Sequence, residues 1–432
     1  MQTLDRKIAP AFKTIEKIEM IKASEMRLRN NIPVYSINAG TQELIKIEFI
    51  FSAGMYQQKI PLQAATVNAM LEEGTSKLNA SQIADKVDYY GAFLETSLTQ
   101  DTASIVLYTL NKHLKSTLPI IEQIIKDSVF PQDELNTHIG NKMQTFFVNN
   151  QKVANVARKR FSELLFGEKH PYGINVKEKD FSFINRTHLI DFYSSFYCSN
   201  NCKIVLAGKV EEDMLVLLDN YFGGDDWNNA SPSDSFTSNR TVIEPNEIKG
   251  SELILKKDAV QSAIRIGKVL FNKKHPDFQS LQILNTLFGG YFGSRLMSNI
   301  REDKGYTYGI GSGIVSLQNS GYFFISTEVG VDVCKDALNE IYFEMNRLRE
   351  ELVSENELQL VKNYLLGTFL RSVDGPFAMA EKFKGIMEYN LDYDYFDNYI
   401  ATIRSISASK LRNLANTYLD KNSMIELVVG KK

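Results

Sequence analysis

A chain of 432 residues, 44% of them hydrophobic and 23% charged, is long enough to bury more than one core without covalent staples. Its 49 Lys and Arg against 52 Asp and Glu leave a net charge of −3, without the basic excess of a nucleic-acid binder. Three cysteines, Cys198, Cys202 and Cys334, make neither a disulfide framework nor a four-ligand zinc motif and read as free structural thiols. The N-terminal stretch MQTLDRKIAPAFKTIEK lacks the apolar region of a secretory signal, and no apolar run reaches the ~18 residues of a membrane span. The expected location is cytoplasmic, or periplasmic if an export signal has been removed.

In chain order, KIEF (46–49) alternates polar and apolar side chains as a half-buried strand does. NASQIADKVDYYG (79–91) opens on capping residues and closes on a glycine free to take a positive φ, which predicts a helix. SIVLYTL (104–110) is rich in β-branched and aromatic residues and predicts a strand. Leu114, Leu118, Ile121 and Ile125 recur at helical spacing, and Pro131 separates that helix from the next. ARKRF (157–161) fits a helix surface. Residues 223–250, rich in Gly, Asn, Ser, Asp and Pro, punctuate rather than propagate structure. Beyond them GSRLMSNIRE predicts a helix turning sharply into a strand, and GYFFISTEVG (321–330) another strand.

The two sides of residues 223–250 resemble each other. SFYCSNNCKIVLAGKV (195–210) parallels TYLDKNSMIELVVGKK (417–432), and FPQDELNTHIGNKMQTFF (130–147) parallels LVSENELQLVKNYLLGTF (352–369). IPLQAATVNAMLEEG (60–74) parallels HPDFQSLQILNTLFGG (275–290). Three segments repeated in one order imply two copies of one domain. The expected division is 1–222, a linker at 223–245, and 246–432. The expected class is α+β, with a mixed β-sheet in each copy and helices over one face of it.

The segment FSAGMYQQKIPLQAATVNAMLEEGTSKLNASQIADKVDYYGAFLETSLTQDT (51–102), with FPQDEL (130–135), HPYG (170–173) and FGGYFGSRLMSNIREDKGYTYGIGSG (288–313), resembles the pitrilysin/insulinase family of zinc peptidases, which includes mitochondrial processing peptidase. The resemblance covers nearly the whole chain and implies two related domains facing each other around a peptide-sized chamber. Active members carry H-x-x-E-H on a helix before a Gly-Thr pair, so that two histidines one turn apart hold zinc and the glutamate acts as general base. Aligned on Gly74–Thr75, those positions are Ala65, Asn68 and Ala69. The five histidines, His113, His138, His170, His188 and His275, include no pair within a helical turn. No carboxylate occurs between Glu134 and Glu163, where the family's distal glutamate ligand would fall. The expectation is no metal or other cofactor in this chain. Glu95 and Thr96 take the place of an Asn-Ala pair on the family's substrate-receiving strand.

NIREDKGYTYGIGSG (299–313) keeps the family's C-terminal signature, an Arg and a Tyr seven residues apart, at Arg301 and Tyr308. By resemblance Arg301 clamps substrate and Tyr308 donates to the oxyanion of the tetrahedral species. The bland alternative makes Arg301 a surface partner of Glu302 or Asp303 and Tyr308 a buried strand aromatic, with Tyr306 as a decoy. No P-loop, dinucleotide fingerprint or nucleophile elbow is present. The pattern implies a chain without activity alone, the partner of a zinc-bearing paralogous peptidase subunit or of a second copy of itself, acting on short or unfolded peptides. The alternative is an inactive peptide-binding or scaffold protein of the same fold, like the structural members in respiratory complexes.

Overall fold

The β-branched and aromatic runs form strands, and the helical-spacing runs form the helices that cover them, in a computed structural model that describes residues 15, 18–227 and 250–432. Residues 228–245 of the expected linker lie outside the described residues. The first sheet comprises β1 (Ser24–Arg27), β2 (Pro33–Asn38), β3 (Leu44–Phe51), β4 (Phe93–Leu98), β5 (Ala103–Leu110) and β6 (Cys202–Gly208), in the order β1-β2-β6-β3-β5-β4. The second comprises β7 (Gly250–Leu255), β8 (Gln261–Leu270), β9 (Thr307–Ser316), β10 (Gly321–Gly330) and β11 (Ile425–Gly430), in the order β7-β11-β8-β10-β9. Apart from β1 the two orders correspond strand for strand. Each has one parallel pair, β2 with β6 and β7 with β11. The α+β expectation with a mixed sheet in each half agrees with this topology.

The first half carries α1 (Gln63–Met70), α2 (Ala80–Tyr89), α3 (Leu114–Asp127), α4 (Gln132–Gln151), α5 (Val153–Phe166), α6 (Asp180–Phe183), α7 (Arg186–Phe196) and α8 (Glu212–Phe222). The second carries α9 (Phe278–Asn285), α10 (Cys334–Glu350), α11 (Glu355–Arg371), α12 (Pro376–Met387), α13 (Asp394–Ser405) and α14 (Ala408–Tyr418). α2 starts where its sequence says, because Asn79 and Gln82 close a reciprocal capping box. In α3 the four periodic residues Leu114, Leu118, Ile121 and Ile125 are all buried. Gly208 (φ +124°) and Gly430 (φ +138°) end the equivalent strands β6 and β11. A Cβ would lie 2.3 Å from Leu44 O at the first and 2.5 Å from Ser262 Oγ at the second, so both repeats need glycine there. All three cysteines are free and buried. Trp227, within the punctuating stretch, is buried against Phe51 and Phe222, and its indole donates to Tyr197 O at 3.2 Å.

Each sheet's own helices cover one face; a helix from the other half covers part of the second. Ala157, Phe161, Leu164 and Leu165 of α5 pack on Ala263 of β8 and on Ile425, Leu427 and Val429 of β11. Arg160 of α5 ties to Glu252 of β7 through two contacts of 2.8 and 3.0 Å. In return Ala380, Phe383 and Ile386 of α12 share a core with Ile37, Ile50, Val205 and Ala207 of the first sheet. The equivalent helices of the two repeats are therefore exchanged.

The exchange corrects the half-buried reading of KIEF. Lys46 and Glu48 are only 3% and 2% exposed, because α12 lies over the face that alternation assigned to water. Their charges close a ring with α12. Lys46 Nζ lies 3.0 Å from Glu48 and also pairs with Glu381, while Lys384 Nζ lies 2.8 Å from both Glu48 and Glu381. Burial opposes the charge on Lys46, but Glu48 and Glu381 outweigh it and raise its pKa.

Removing one member of such a ring strands its partners. Lys46→Met is expected to cost about 3–5 kcal/mol in urea unfolding. Lys46→Met combined with Glu48→Leu leaves the Glu381–Lys384 pair intact and is expected to recover most of that loss. Equal losses in the two variants would rule the ring out as the source.

Candidate functional site

The helix that aligns with the metal-binding motif begins at Leu62, held at φ +74°, and runs through α1. Ala65 and Ala69 are half-buried and offer only methyl groups. Asn68 is 4% exposed, and its Nδ2 donates to the Tyr197 hydroxyl at 3.4 Å. Tyr197 in turn packs on Phe51 and Tyr193, and burial drives its pKa well above the ordinary phenol value. The position of the family's general base is thus tied to the core of the first half. On α4, where the distal glutamate would fall, the side chains include exposed Met143, Phe147 and Val148. Among the described residues no group of three or more His, Cys, Asp or Glu is placed to hold a metal ion. The residues present do not fit zinc.

HPYG joins the two halves. His170 is buried, stacks on Phe166 at 5.3 Å, and accepts from Tyr172 N at 3.1 Å through Nδ1. Burial lowers its pKa. The Tyr172 hydroxyl donates to Asp101 Oδ1 at 2.5 Å, and Asp101 Oδ2 accepts from Gln318 N, in the β9–β10 connection, at 3.0 Å.

The Arg-Tyr signature is well separated from the core. Arg301 lies on the helical turn Met297–Asp303, with Ile300 beside it buried as the anchor. Its guanidinium sits 4.6 Å from the Phe292 ring centre and 5.6 Å from that of Tyr308, so the spacing of seven does bring the pair together. Arg301 makes no ion pair among the described residues, with Glu302 and Asp303 included. Tyr308 is 93% exposed on β9 and its hydroxyl has no hydrogen-bond partner among the described residues. The decoy, Tyr306, packs on the second core.

β4 pairs only with β5, and β9 only with β10, so both are sheet edges. Glu95 is exposed and Thr96 half-buried on β4, while β9 carries Tyr308. Two clefts meet at Arg265. One, of about 420 Å³, is lined by Ala65, Arg158, Phe161, Tyr172 and Tyr322 among others. The other, of about 400 Å³, is lined by Ala154, Tyr308 and Glu328 among others. Sequence reasoning missed Arg265 and Arg158. The available signal was an arginine inside the apolar strand AIRIGKVL.

Glu72, directly after α1, is half-buried beside Glu73, and its pKa is pushed up to about 7 by burial first and by Glu73 second. A carboxyl raised above its ordinary value of 4.5 lends stability below that value and loses it as pH rises through about 7. The parent chain is therefore expected to lose about 2 kcal/mol more than Glu72→Gln between about pH 5 and about pH 8, measured by urea unfolding. Parallel pH profiles would contradict this.

Comparison with known proteins places these features. Residues 184–365 match the family model described as "Peptidase M16 inactive domain". An uncharacterized zinc protease of Bacillus subtilis, YmxG, is 20% identical over 362 residues, covering 83% of this chain and 86% of that protein. The crystal structure of a peptidase M16 inactive domain from Pseudomonas fluorescens superposes with a TM-score of 0.84 at 22% identity, over 95% of this chain and 98% of the other. The periplasmic protease PqqL of Escherichia coli superposes with a TM-score of 0.77 at 15% identity, over 99% of this chain but only 48% of its own.

Proposed function

Because this chain belongs to the pitrilysin/insulinase-type (M16) peptidase family, as a member without H-x-x-E-H, we propose that it is the non-zinc half of a two-chain endopeptidase. A paralogous subunit carries the zinc motif. This chain supplies part of the peptide-binding surface, together with Arg301 and Tyr308. The observation that carries the reading is the contrast between α1, with methyl groups at the ligand positions, and β9, where Tyr308 stands 93% exposed beside a ring-clamped Arg301. Decay alone gives no reason to erase one set and keep the other.

Tyr308 then acts as a hydrogen-bond donor to the oxygen that gains charge during peptide hydrolysis, and Arg301 as a fixed fork for a substrate carbonyl or carboxylate. The free edges of β4 and β9 suit a substrate that adds as a strand, which favours short or unfolded peptides. PqqL, a protease with a chain about twice the length that this one matches, is consistent with a working unit of four such domains. The alternative is a scaffold or peptide-binding protein. It is favoured by the exchanged helices and by the Asp101–Tyr172–Gln318 link, which hold the two halves shut on each other.

Mixing the chain with its H-x-x-E-H paralogue is expected to produce peptide cleavage that neither shows alone. In that mixture Tyr308→Phe is expected to lower kcat by about two to three orders of magnitude, the usual consequence of losing one oxyanion donor. Arg301→Ala is expected to act mainly on KM. Full activity in Tyr308→Phe refutes the donor role; no activity on mixing leaves the scaffold reading.

A further inference from the structure

The internal repeat exposes an imbalance of charge between the halves. Glu48 on β3 pairs with Val205 on β6, three residues before Gly208. Arg265 on β8 pairs with Leu427 on β11, three residues before Gly430. Glu48 and Arg265 therefore occupy equivalent places, each on a central strand beneath the helix borrowed from the other half. On the first sheet that helix, α12, brings Lys384 to within 2.8 Å of Glu48. On the second sheet α5 brings Phe161, whose ring centre lies 6.0 Å from the Arg265 guanidinium, with Phe324 at 5.6 Å. The carboxylate α5 does carry, Glu163, is 3.1 Å from Arg160. Arg265 makes no ion pair or hydrogen bond among the described residues.

The cleft shared with α1 supplies more positive charge, and Glu328, which lines the other cleft at Arg265, makes no ion pair with it among the described residues. Arg158 and Lys159 of α5 line the same cleft, and its lining contains no Asp or Glu. Lys159 donates to Asn150 Oδ1 at 2.7 Å, whereas Arg158 is exposed and makes no ion pair among the described residues. Asp101, whose partner Tyr172 lines this cleft, is engaged by Tyr172 and Gln318. Tyr322 lines the cleft too, and its hydroxyl has no hydrogen-bond partner among the described residues. Burial lowers the pKa of Arg265, and Arg158 adds to that, with Tyr322 opposing. A guanidinium held between two rings, partly desolvated and with its donors unused, is pre-organised for a planar anion. Leaving it unpaired is costly, and an incoming carboxylate relieves that cost.

We propose that the cleft between α1 and α5 is a carboxylate-binding site, in which Arg265 and Arg158, with the Tyr322 hydroxyl, receive a carboxylate of a bound peptide. This rests on the peptide-binding reading above and gives it a substrate class, peptides bearing a carboxylate at this position. The carboxylate has two possible sources, a Glu or Asp side chain or the peptide's C-terminus. The position is adjacent to Ala65, where the methyl of α1 leaves space.

The test titrates the full chain with three fluorescein-labelled extended peptides of about ten residues. One has an internal Glu and an amidated C-terminus, one has Gln there and a free C-terminus, and one has Gln and an amide. At least one of the first two is expected to bind about tenfold more tightly than the third, with the preference reduced by salt. Which of them binds identifies the source. Arg265→Gln is expected to abolish most of the preference. Arg158→Gln, at an exposed position, is expected to weaken it in the same direction and serves if Arg265→Gln fails to fold. Equal binding of all three peptides, or a preference that survives both variants, overturns the carboxylate site and spares the peptide reading. No binding by any of the three overturns both.

Discussion

The molecule depends on an exchange of helices. Each sheet has one face that its own helices do not cover, and a mostly apolar sheet face left in water is unfavourable. α5 and α12, equivalent members of the two repeats, each cross to the other half and bury part of that face. Lys46 and Glu48 are taken out of water at the α12 contact, and the partly buried Lys384 and the more exposed Glu381 of α12 close an alternating ring with them that offsets the cost. Each sheet is thus covered in part by a helix of the other half.

The exchange also determines what remains open. Between α1 and the second sheet the covering is incomplete, and the cleft left there is bounded by methyl groups on one side and by arginines on the other. The α1 position that aligns with the family's metal motif carries the methyl of Ala65 and shares a cleft with Arg158 and Arg265. Tyr308, in the neighbouring cleft, lies on a sheet edge with no hydrogen-bond partner for its hydroxyl among the described residues.

Much of the fold was legible in residues. The capping box at Asn79 and Gln82, the periodicity of Leu114 to Ile125, and the strand at residues 321–330 are local signals, each read within a few neighbours. The repeat was legible because equivalent places make the same steric demand, as Gly208 and Gly430 show. Local patterning misled where a distant segment took the place of solvent. Lys46 and Glu48 look like the wet face of a strand and are buried by residues over 330 positions away. Trp227 sits in a stretch of turn formers and completes a core. The roles of Tyr172 in HPYG and of Arg265 in AIRIGKVL had no local signature, because their neighbours come from other parts of the chain.

By itself the sequence determined the absence of ligand atoms at Ala65 and Ala69, the duplication, and the spacing of Arg301 and Tyr308. Those are properties of side-chain identity and order, which folding does not alter. Only the tertiary structure decided that Asn68 turns to Tyr197, that Glu48 is ion-paired while Arg265 makes no ion pair among the described residues, and that the halves exchange helices. Those outcomes depend on which surfaces exclude water from which charges, and that is settled by contacts between segments far apart in the chain.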